Sequence, residues 1–219
     1  MSHFFKKLIE HKAKEPINTY ALDVVVPTDI LEFDLSKVVD NAALLKIIEQ
    51  HKKDYPVSMQ DYDERTNVRA WHSDWKTHLI NPDFNEFIKI VQDCVQKHYS
   101  ELILSDFWFN TYEDSGSAKR HRHGSMQISC VYFVECDEKS SPLVIDNNST
   151  DKKTIVIQPK PGKLVVFSGF VYHSVKNNGI EDSNTRTSIA FNFHIKPETL
   201  SEEQIEGRKK LCRGKKCLK

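Results

Sequence analysis

The stretch that decides the fold runs from Leu102 to Val134 and reads LILSDFWFNTYEDSGSAKRHRHGSMQISCVYFV. Its two ends are apolar runs rich in aromatic and β-branched residues, and its middle contains the turn-forming sequence Asp114-Ser115-Gly116. Runs of this composition between turn formers are typical of β-strands. We therefore predict one strand over Leu102 to Tyr112 and a second over Met126 to Glu135, with a polar connection between them.

The same pattern continues toward the C-terminus. The further runs with strand character are Pro142 to Asp146, Thr154 to Gln158, Lys163 to Ser168, Phe170 to Val175 and Thr185 to Ile195. Turn formers such as Lys160-Pro161-Gly162 separate them. Seven short strands at this spacing predict a β-sandwich or barrel.

The residues before this region mix helices with short strands. Leu22 to Val26 and Ile30 to Leu35 have strand character, whereas Asn41 to Lys53 has helical character. The clearest helix starts at Asn81-Pro82, because asparagine is a good N-cap and proline suits the first turn. Apolar residues then recur at three- and four-residue steps and predict one buried stripe, formed by Phe84, Phe87, Ile88, Val91 and Val95.

The length of 219 residues fits a single domain, mostly β with flanking α-helices. Within residues 1–219 we predict an N-terminal support of helices and strands over 1–100 and a β core over 101–196. Residues 197–219 are predicted to form a C-terminal helix, Ser201 to Leu211, and a basic tail.

The charge and the cysteine content of the chain restrict the classes of function that we expect for it. Lys and Arg total 31 and Asp and Glu total 31, so whole-chain charge offers no argument for a nucleic-acid or membrane partner. The sequence has no signal-peptide pattern and no apolar segment of membrane-spanning length. The five cysteines are odd in number and lack paired spacing, and Cys212 and Cys217 lack two further ligands nearby. We therefore expect a cytoplasmic protein with reduced thiols.

Two histidines separated by one residue are the first candidate metal ligands. On a strand, His121 and His123 would point to the same face, where two imidazoles can share a metal ion. An isolated pair of this kind is a weak signal, because Lys119 to His123 also reads as a basic surface patch. His173 strengthens it, because it follows an apolar run that is expected to be buried. Together the three histidines have the layout of a mononuclear iron site in a β-barrel.

Arg186 stands at the head of the last predicted strand. A buried arginine requires a carboxylate partner, so a small anionic co-substrate is a candidate if the chain supplies none. Asn110 and Tyr112 share one strand face and, with Arg186, can hold a carboxylate or a keto acid. Taken singly, each of the three is also compatible with an ordinary strand residue.

These motifs resemble a known family. The resemblance covers about residues 65–195 and is carried by Asn110-x-Tyr112, His121-x-His123, Pro161 to Phe167, His173 and Arg186 to Asn192. In these stretches the chain resembles the 2-oxoglutarate/Fe(II)-dependent oxygenases of marine bacteria and tailed phages. The Asn-x-Tyr motif is also similar to the branch that repairs alkylated nucleic acids.

The resemblance implies a double-stranded β-helix, the jelly-roll or cupin-like fold, with Fe(II) at its open end. His121 and His173 would be ligands, and Arg186 would bind the far carboxylate of 2-oxoglutarate, assisted by Asn110, Tyr112 and Ser188. The implied reaction uses O2, converts 2-oxoglutarate to succinate and hydroxylates a substrate. A small molecule and a protein side chain both remain open as substrate, and no nucleic-acid or membrane partner is implied.

The second ligand position departs from the family pattern, because His123 stands where Asp or Glu is usual. We predict His123 as the third ligand. The alternatives are a carboxylate from elsewhere, such as Asp137 or Asp146, with His123 in the outer shell. A rival ligand pair, His72 and Asp74, lies before the strand-rich half.

A three-histidine site also leaves two other function classes open. One is a cupin-like metalloenzyme that does not use 2-oxoglutarate. The other is a non-catalytic β-barrel binding module.

Overall fold

A computed structural model of the chain describes residues 30–62, 66–99, 101–112, 116–124, 127–146, 154–176 and 185–195. The helices are α1 (Asn41–Asp54), α2 (Met59–Tyr62), α3 (Thr77–Ile80) and α4 (Asn85–Gln96), and a 3-10 turn covers Pro82–Phe84. The strands are β1 (Leu31–Asp34), β2 (Val68–Arg69), β3 (Trp71–His72), β4 (Leu102–Tyr112), β5 (Ser117–His121), β6 (Gln127–Glu135), β7 (Leu143–Asp146), β8 (Thr154–Ile157), β9 (Lys163–Ser168), β10 (His173–Val175) and β11 (Arg186–Ile195). The elements predicted at Leu22 to Val26 and Ser201 to Leu211, and the tail with Cys212 and Cys217, lie outside the described residues.

The described strands form two antiparallel sheets. The larger sheet has six strands in the order β1-β9-β6-β11-β4-β3, and the smaller has five in the order β2-β5-β10-β7-β8. Side chains from both sheets pack together between them: Phe133, Val165 and Phe167 from the larger, and Leu143, Ile145 and Ile157 from the smaller. The structure therefore confirms the mostly β, two-sheet fold with flanking helices.

The helices pack on the outer face of the larger sheet. The Asn81 side chain accepts a hydrogen bond from the Asp83 amide at 3.1 Å, as expected for an N-cap, and α4 follows the 3-10 turn. All five residues of the predicted stripe are buried in one cluster with α1 and the strands, which confirms that prediction: Phe84, Phe87, Ile88, Val91 and Val95. None of the helices in the described ranges is both long and apolar enough to cross a membrane.

Strand alternation in the larger sheet decides which residues reach the space between the sheets. On β4, Phe107 and Phe109 belong to the helix-side cluster. Because successive strand residues point to opposite faces, Trp108, Asn110 and Tyr112 turn toward the smaller sheet. The inner face of β4 therefore carries two polar residues and an indole, whereas its outer face carries phenylalanines.

Strand β5 is not among the apolar runs that the sequence reveals. Its residues are Ser-Ala-Lys-Arg-His, and only Ala118 is buried. It forms because it pairs with β2 on one side and β10 on the other. The strand ends at His121, so His123 lies beyond it. The prediction that His121 and His123 point to the same side therefore depends on the loop after β5 as well as on strand geometry.

We expect Gly162→Ala to destabilise the fold. Gly162 has a φ of 86°, and an added Cβ would lie 2.6 Å from the Cβ of Ser36. The backbone cannot easily move away, because the Gly162 amide donates to Phe133 at 2.9 Å and its carbonyl accepts from Leu35 at 2.8 Å. We expect the free energy of unfolding, measured with urea, to fall by about 1–3 kcal/mol.

Gly124→Ala is the control for this substitution. An added Cβ there would meet only the Gln127 side chain, at 3.4 Å, and Gly124 is exposed. Its effect should be within about 0.5 kcal/mol. Equal stability of the Gly162→Ala and Gly124→Ala proteins would contradict the argument.

Candidate active site

His121 and His173 face each other across two neighbouring strands. They are directly paired residues of β5 and β10 in the smaller sheet. Their ring centroids are 4.3 Å apart. The fold thus brings together two imidazoles that are far apart in the sequence, as the iron-site layout predicted.

His123 completes the cluster from the loop after β5. Its amide donates a hydrogen bond of 2.6 Å to the carbonyl of Gly169, which ties this loop to the segment before β10. Its ring centroid is 5.2 Å from the rings of both His121 and His173. One nitrogen from each of the three rings lies within 4.8 Å of the others. The three side chains can therefore reach a single metal ion.

Hydrogen bonds fix the orientation of two of the rings. The Nδ1 atom of His121 is 2.7 Å from the carbonyl of Lys119, and that of His173 is 3.1 Å from the carbonyl of Val171. A carbonyl only accepts, so each Nδ1 must carry the proton and donate it. Each ring then keeps its Nε2 lone pair free, which is the form that a metal-binding histidine needs.

The surroundings also favour the uncharged form of these rings. Burial lowers the pKa of His121, lowers the pKa of His123 to about 4, and lowers that of His173 well below its usual value. Charge repulsion from the neighbouring imidazoles acts in the same direction: His121 lowers the pKa of His123, and both His121 and His123 lower the pKa of His173. Neutral imidazoles are the metal-binding species, so the cluster does not have to lose protons near neutral pH before it binds metal.

Neither carboxylate considered as an alternative ligand joins the cluster. Asp146 forms an ion pair with Arg120, with its Oδ2 at 2.5 and 2.7 Å from two guanidinium nitrogens. Asp137 accepts hydrogen bonds from the Lys139 amide and the Ser140 hydroxyl. In the described part of the chain, the three histidines are the only His, Cys, Asp and Glu group with metal-binding spacing.

The rival pair His72 and Asp74 is not brought to the histidine cluster. His72 lies on β3, at the edge of the larger sheet, and its Nδ1 donates to the carbonyl of Ser73. Its ring stacks on Trp108, with the two planes 8° apart. His72 is a packed core residue in this fold.

A cavity extends from His121 and His173 toward Arg186. It is lined by all four residues predicted to bind the co-substrate, together with His121 and His173: Asn110, Tyr112, Arg186 and Ser188. Two cross-strand pairs place them, since Arg186 is paired with Tyr112 and Ser188 with Asn110. The sequence-predicted residues are therefore gathered on one face of adjacent strands β4 and β11.

Arg186 is a buried cation without a carboxylate partner in the described ranges. It is 2% exposed, and one terminal nitrogen donates to the carbonyl of Ser141 at 2.6 Å. Its Nε has no hydrogen-bond partner within the described ranges. The guanidinium lies 5.0 Å from the ring centroids of both Tyr112 and Phe133. Burial lowers its pKa, but arginine remains charged, so the cavity contains a positive charge that is available to an anion.

Two further polar atoms of residues that line this cavity resemble the Nε of Arg186 in this respect. Asn110 Oδ1 and the indole Nε1 of Trp108 are buried, and neither has a hydrogen-bond partner in the described part of the chain. The sequence analysis did not single out Trp108, although it shares the inner strand face with Asn110 and Tyr112 at two-residue steps. That spacing, in a strand whose other inward residues are polar, was the available signal.

The comparisons with known proteins agree with this geometry. Residues 106–192 match a family model described as "Putative 2OG-Fe(II) oxygenase". No curated protein sequence matches the chain.

Several solved structures share the fold. A prolyl hydroxylase from Trichoplax adhaerens, bound to a hypoxia inducible factor peptide, is 11% identical with a TM-score of 0.60, covering 94% of this chain and 97% of that one. A prolyl-4-hydroxylase from Pseudomonas putida is 14% identical with a TM-score of 0.54, covering 80% and 96%. HygX from Streptomyces hygroscopicus, with nickel, 2-oxoglutarate and hygromycin B bound, is 9% identical with a TM-score of 0.54, covering 76% and 83%.

At these identities the structural matches establish the fold alone, a double-stranded β-helix, and the family similarity is carried by residues 106–192. Residues 106–192 are thus similar to the 2-oxoglutarate- and Fe(II)-dependent oxygenases, and this stretch contains the three histidines that have the spacing of a metal site.

Proposed function

We propose that this protein is a 2-oxoglutarate-dependent oxygenase and that it holds Fe(II) through the Nε2 atoms of His121, His123 and His173. The observation that carries the proposal is a single cavity lined at one end by His121 and His173, which converge with His123, and at the other by a buried guanidinium without a carboxylate partner among the described residues. This donor set suits Fe(II), because imidazole is among the ligands that iron accepts. Three neutral ligands add no charge to the ion, so the centre remains strongly attractive to an anionic co-substrate.

Arg186 is the proposed anchor for the 5-carboxylate of 2-oxoglutarate. Its Nε–H is unsatisfied and buried, and a bound carboxylate would satisfy it with a charge-assisted hydrogen bond. Tyr112 and Phe133 hold the planar guanidinium between their rings and keep water from it. Ser188 and Asn110, the next pair along the two strands, offer a hydroxyl and an amide beside the carbon chain of the co-substrate.

Bound iron would supply the oxidising chemistry, in which one O2 is consumed: one oxygen atom enters succinate as CO2 leaves 2-oxoglutarate, and the other enters the substrate. The protein's own part is to present three imidazoles and to fix the co-substrate in one orientation. We propose hydroxylation of a C–H bond as the outcome.

We propose a small molecule or a protein side chain as the substrate. The Trichoplax prolyl hydroxylase was solved with a peptide, and HygX with hygromycin B. Both kinds of substrate are therefore handled on this fold. We also propose an intracellular, reducing location, which the free thiols of Cys94, Cys130 and Cys136 support.

The test of the proposed function is an anaerobic titration of the full-length protein with Fe(II) and then with 2-oxoglutarate. One equivalent of Fe(II) should bind, and the added keto acid should produce a visible charge-transfer absorption. Admission of O2 should then yield succinate slowly, even without substrate. Tight Fe(II) binding with no spectral response to 2-oxoglutarate would contradict the assignment of the cavity.

We predict that His123→Asp retains Fe(II) binding, whereas His123→Ala loses it. Aspartate at this position gives the usual arrangement of two histidines and one carboxylate. We expect the Fe(II) dissociation constant to rise by at least about 100-fold for alanine, beyond what loss of an outer-shell partner costs, and by far less for aspartate. Equilibrium competition against a coloured chelator measures both. If His123→Ala binds Fe(II) as tightly as the wild type, His123 is not a ligand.

A further inference from the structure

Trp108 carries an unexplained donor beside the metal-binding cluster. The residue is 7% exposed, and its indole Nε1–H has no hydrogen-bond partner among the residues that the structure describes. It lines the same cavity as His121, His173 and Arg186. A buried N–H without a partner costs free energy and is rare in native proteins, so this donor calls for an acceptor that the described part of the chain does not supply.

Packing holds the indole in place without that hydrogen bond. The ring of His72 lies parallel to it, with centroids 6.0 Å apart. His72 is fixed in turn, because its amide donates to Ser58 and its Nδ1 to the carbonyl of Ser73. The residue paired with Trp108 on β11 is Ala190, whose small side chain leaves room beside the indole. The donor is therefore pre-positioned, as a binding group should be.

Position along the strands places this donor at the metal end of the cavity. The inner face runs through three pairs in order: Tyr112 with Arg186, Asn110 with Ser188, and Trp108 with Ala190. Two steps of two residues separate the first pair from the last, roughly 13 Å along the strand. The Trp108 ring lies 6.3 Å from the ring of His123. The cavity thus has one unsatisfied N–H donor beside the metal ligands and another at the opposite end, in Arg186.

We infer that Trp108 is a further co-substrate-binding residue, whose indole N–H donates to the 1-carboxylate of 2-oxoglutarate beside the three histidines. The inference rests on the proposed function, because it requires 2-oxoglutarate to span the cavity with its 5-carboxylate on Arg186. A fixed donor at each end makes the cavity complementary to a dicarboxylate of one length. Trp108 thereby contributes to the orientation of the keto acid as well as to its affinity.

The first test observes the indole N–H directly in the wild-type protein. The chain has three tryptophans, so labelling with 15N-tryptophan gives three indole signals. Trp71→Phe and Trp75→Phe variants identify the signal of Trp108 by elimination. With full-length protein loaded with Zn(II), we expect this signal alone to move downfield on addition of 2-oxoglutarate. It should also move with 2-oxobutyrate, which keeps the keto-acid end and lacks the far carboxylate. An unmoved Trp108 signal with both acids would overturn the inference.

The second test compares affinities for the same two acids on the anaerobic Fe(II) protein. Trp108→Phe should weaken 2-oxoglutarate and 2-oxobutyrate by the same factor, about tenfold, equivalent to about 1.4 kcal/mol. Arg186→Ala should weaken only 2-oxoglutarate. Affinity for Fe(II) alone should not change in Trp108→Phe, which separates the lost hydrogen bond from a distorted metal site.

The outcomes distinguish this inference from the proposed function. If Arg186→Ala behaves as expected but Trp108→Phe binds both acids as tightly as the wild type, only the role of Trp108 is wrong. If Arg186→Ala leaves 2-oxoglutarate affinity unchanged, the assignment of the cavity itself fails.

Discussion

Replacement of His173 by alanine is expected to abolish Fe(II) binding and, with it, conversion of 2-oxoglutarate to succinate. His173 contributes the one buried ring of the cluster, and its hydrogen bond to Val171 aims its Nε2 at the other two histidines. Without it, His121 and His123 remain as two neighbouring side chains on one segment, which cannot enclose an ion from two sides. We expect Fe(II) affinity to fall by more than about 100-fold, the upper end for loss of an outer-shell partner.

Two further variants separate lost ligation from lost folding. His173→Gln keeps most of the side-chain volume, so it leaves a smaller void than alanine in this buried position. His194→Ala removes an exposed histidine that lies outside the cluster and contacts Gln127. The metal-free proteins should unfold cooperatively, and only the two His173 variants should lose Fe(II) binding. Wild-type Fe(II) affinity in both of them would remove His173 from the ligand set.

Local periodicity in the sequence was enough to predict most of the elements. The apolar residues of α4 repeat at helical steps, and β4 alternates phenylalanines with residues that point to the other face of the sheet. The sequence of each element therefore indicates which of its faces packs between the helices and the larger sheet. The sequence of strand β5 shows no such alternation of apolar and polar residues. Its sequence is polar, and its strand geometry comes from pairing with β2 and β10, which are distant in the chain.

In the candidate site too, some residues could be predicted from local sequence, whereas others depend on contacts between distant parts of the chain. His173 and Arg186 could be predicted because each stands at the end of an apolar run or strand, and His121 because it is separated by one residue from a second histidine. The position of His123 depends on a hydrogen bond to Gly169, and the exclusion of Asp146 as a ligand depends on its ion pair with Arg120. Trp108 was missed because an aromatic residue on a strand ordinarily indicates core packing, and only the three-dimensional structure reveals that its N–H has no partner.

Replacement of Arg186 by alanine is expected to weaken 2-oxoglutarate binding strongly while Fe(II) still binds. Arg186 lies at the opposite end of the cavity from the metal-binding histidines and contacts none of them through a hydrogen bond. Truncation of one partner in a buried, hydrogen-bonded charge pair costs about 2–5 kcal/mol, because the other charge is left unpaired. At about 1.4 kcal/mol for each factor of ten, the dissociation constant should rise from roughly 30-fold to a few thousand-fold.

The stability of the metal-free protein gives this prediction a second, independent readout. In the absence of a ligand, the Arg186 guanidinium is a buried charge without a carboxylate in the described part of the chain, so its removal relieves an electrostatic cost. The usual loss from truncating a large buried side chain should therefore be partly offset. Added 2-oxoglutarate should raise the melting temperature of the Fe(II)-loaded wild type and fail to raise that of Arg186→Ala at the same concentration. Arg69→Ala, which removes an exposed arginine from β2, should respond like the wild type. If Arg186→Ala responds like these two proteins, the guanidinium is a structural group and the co-substrate carboxylate binds elsewhere.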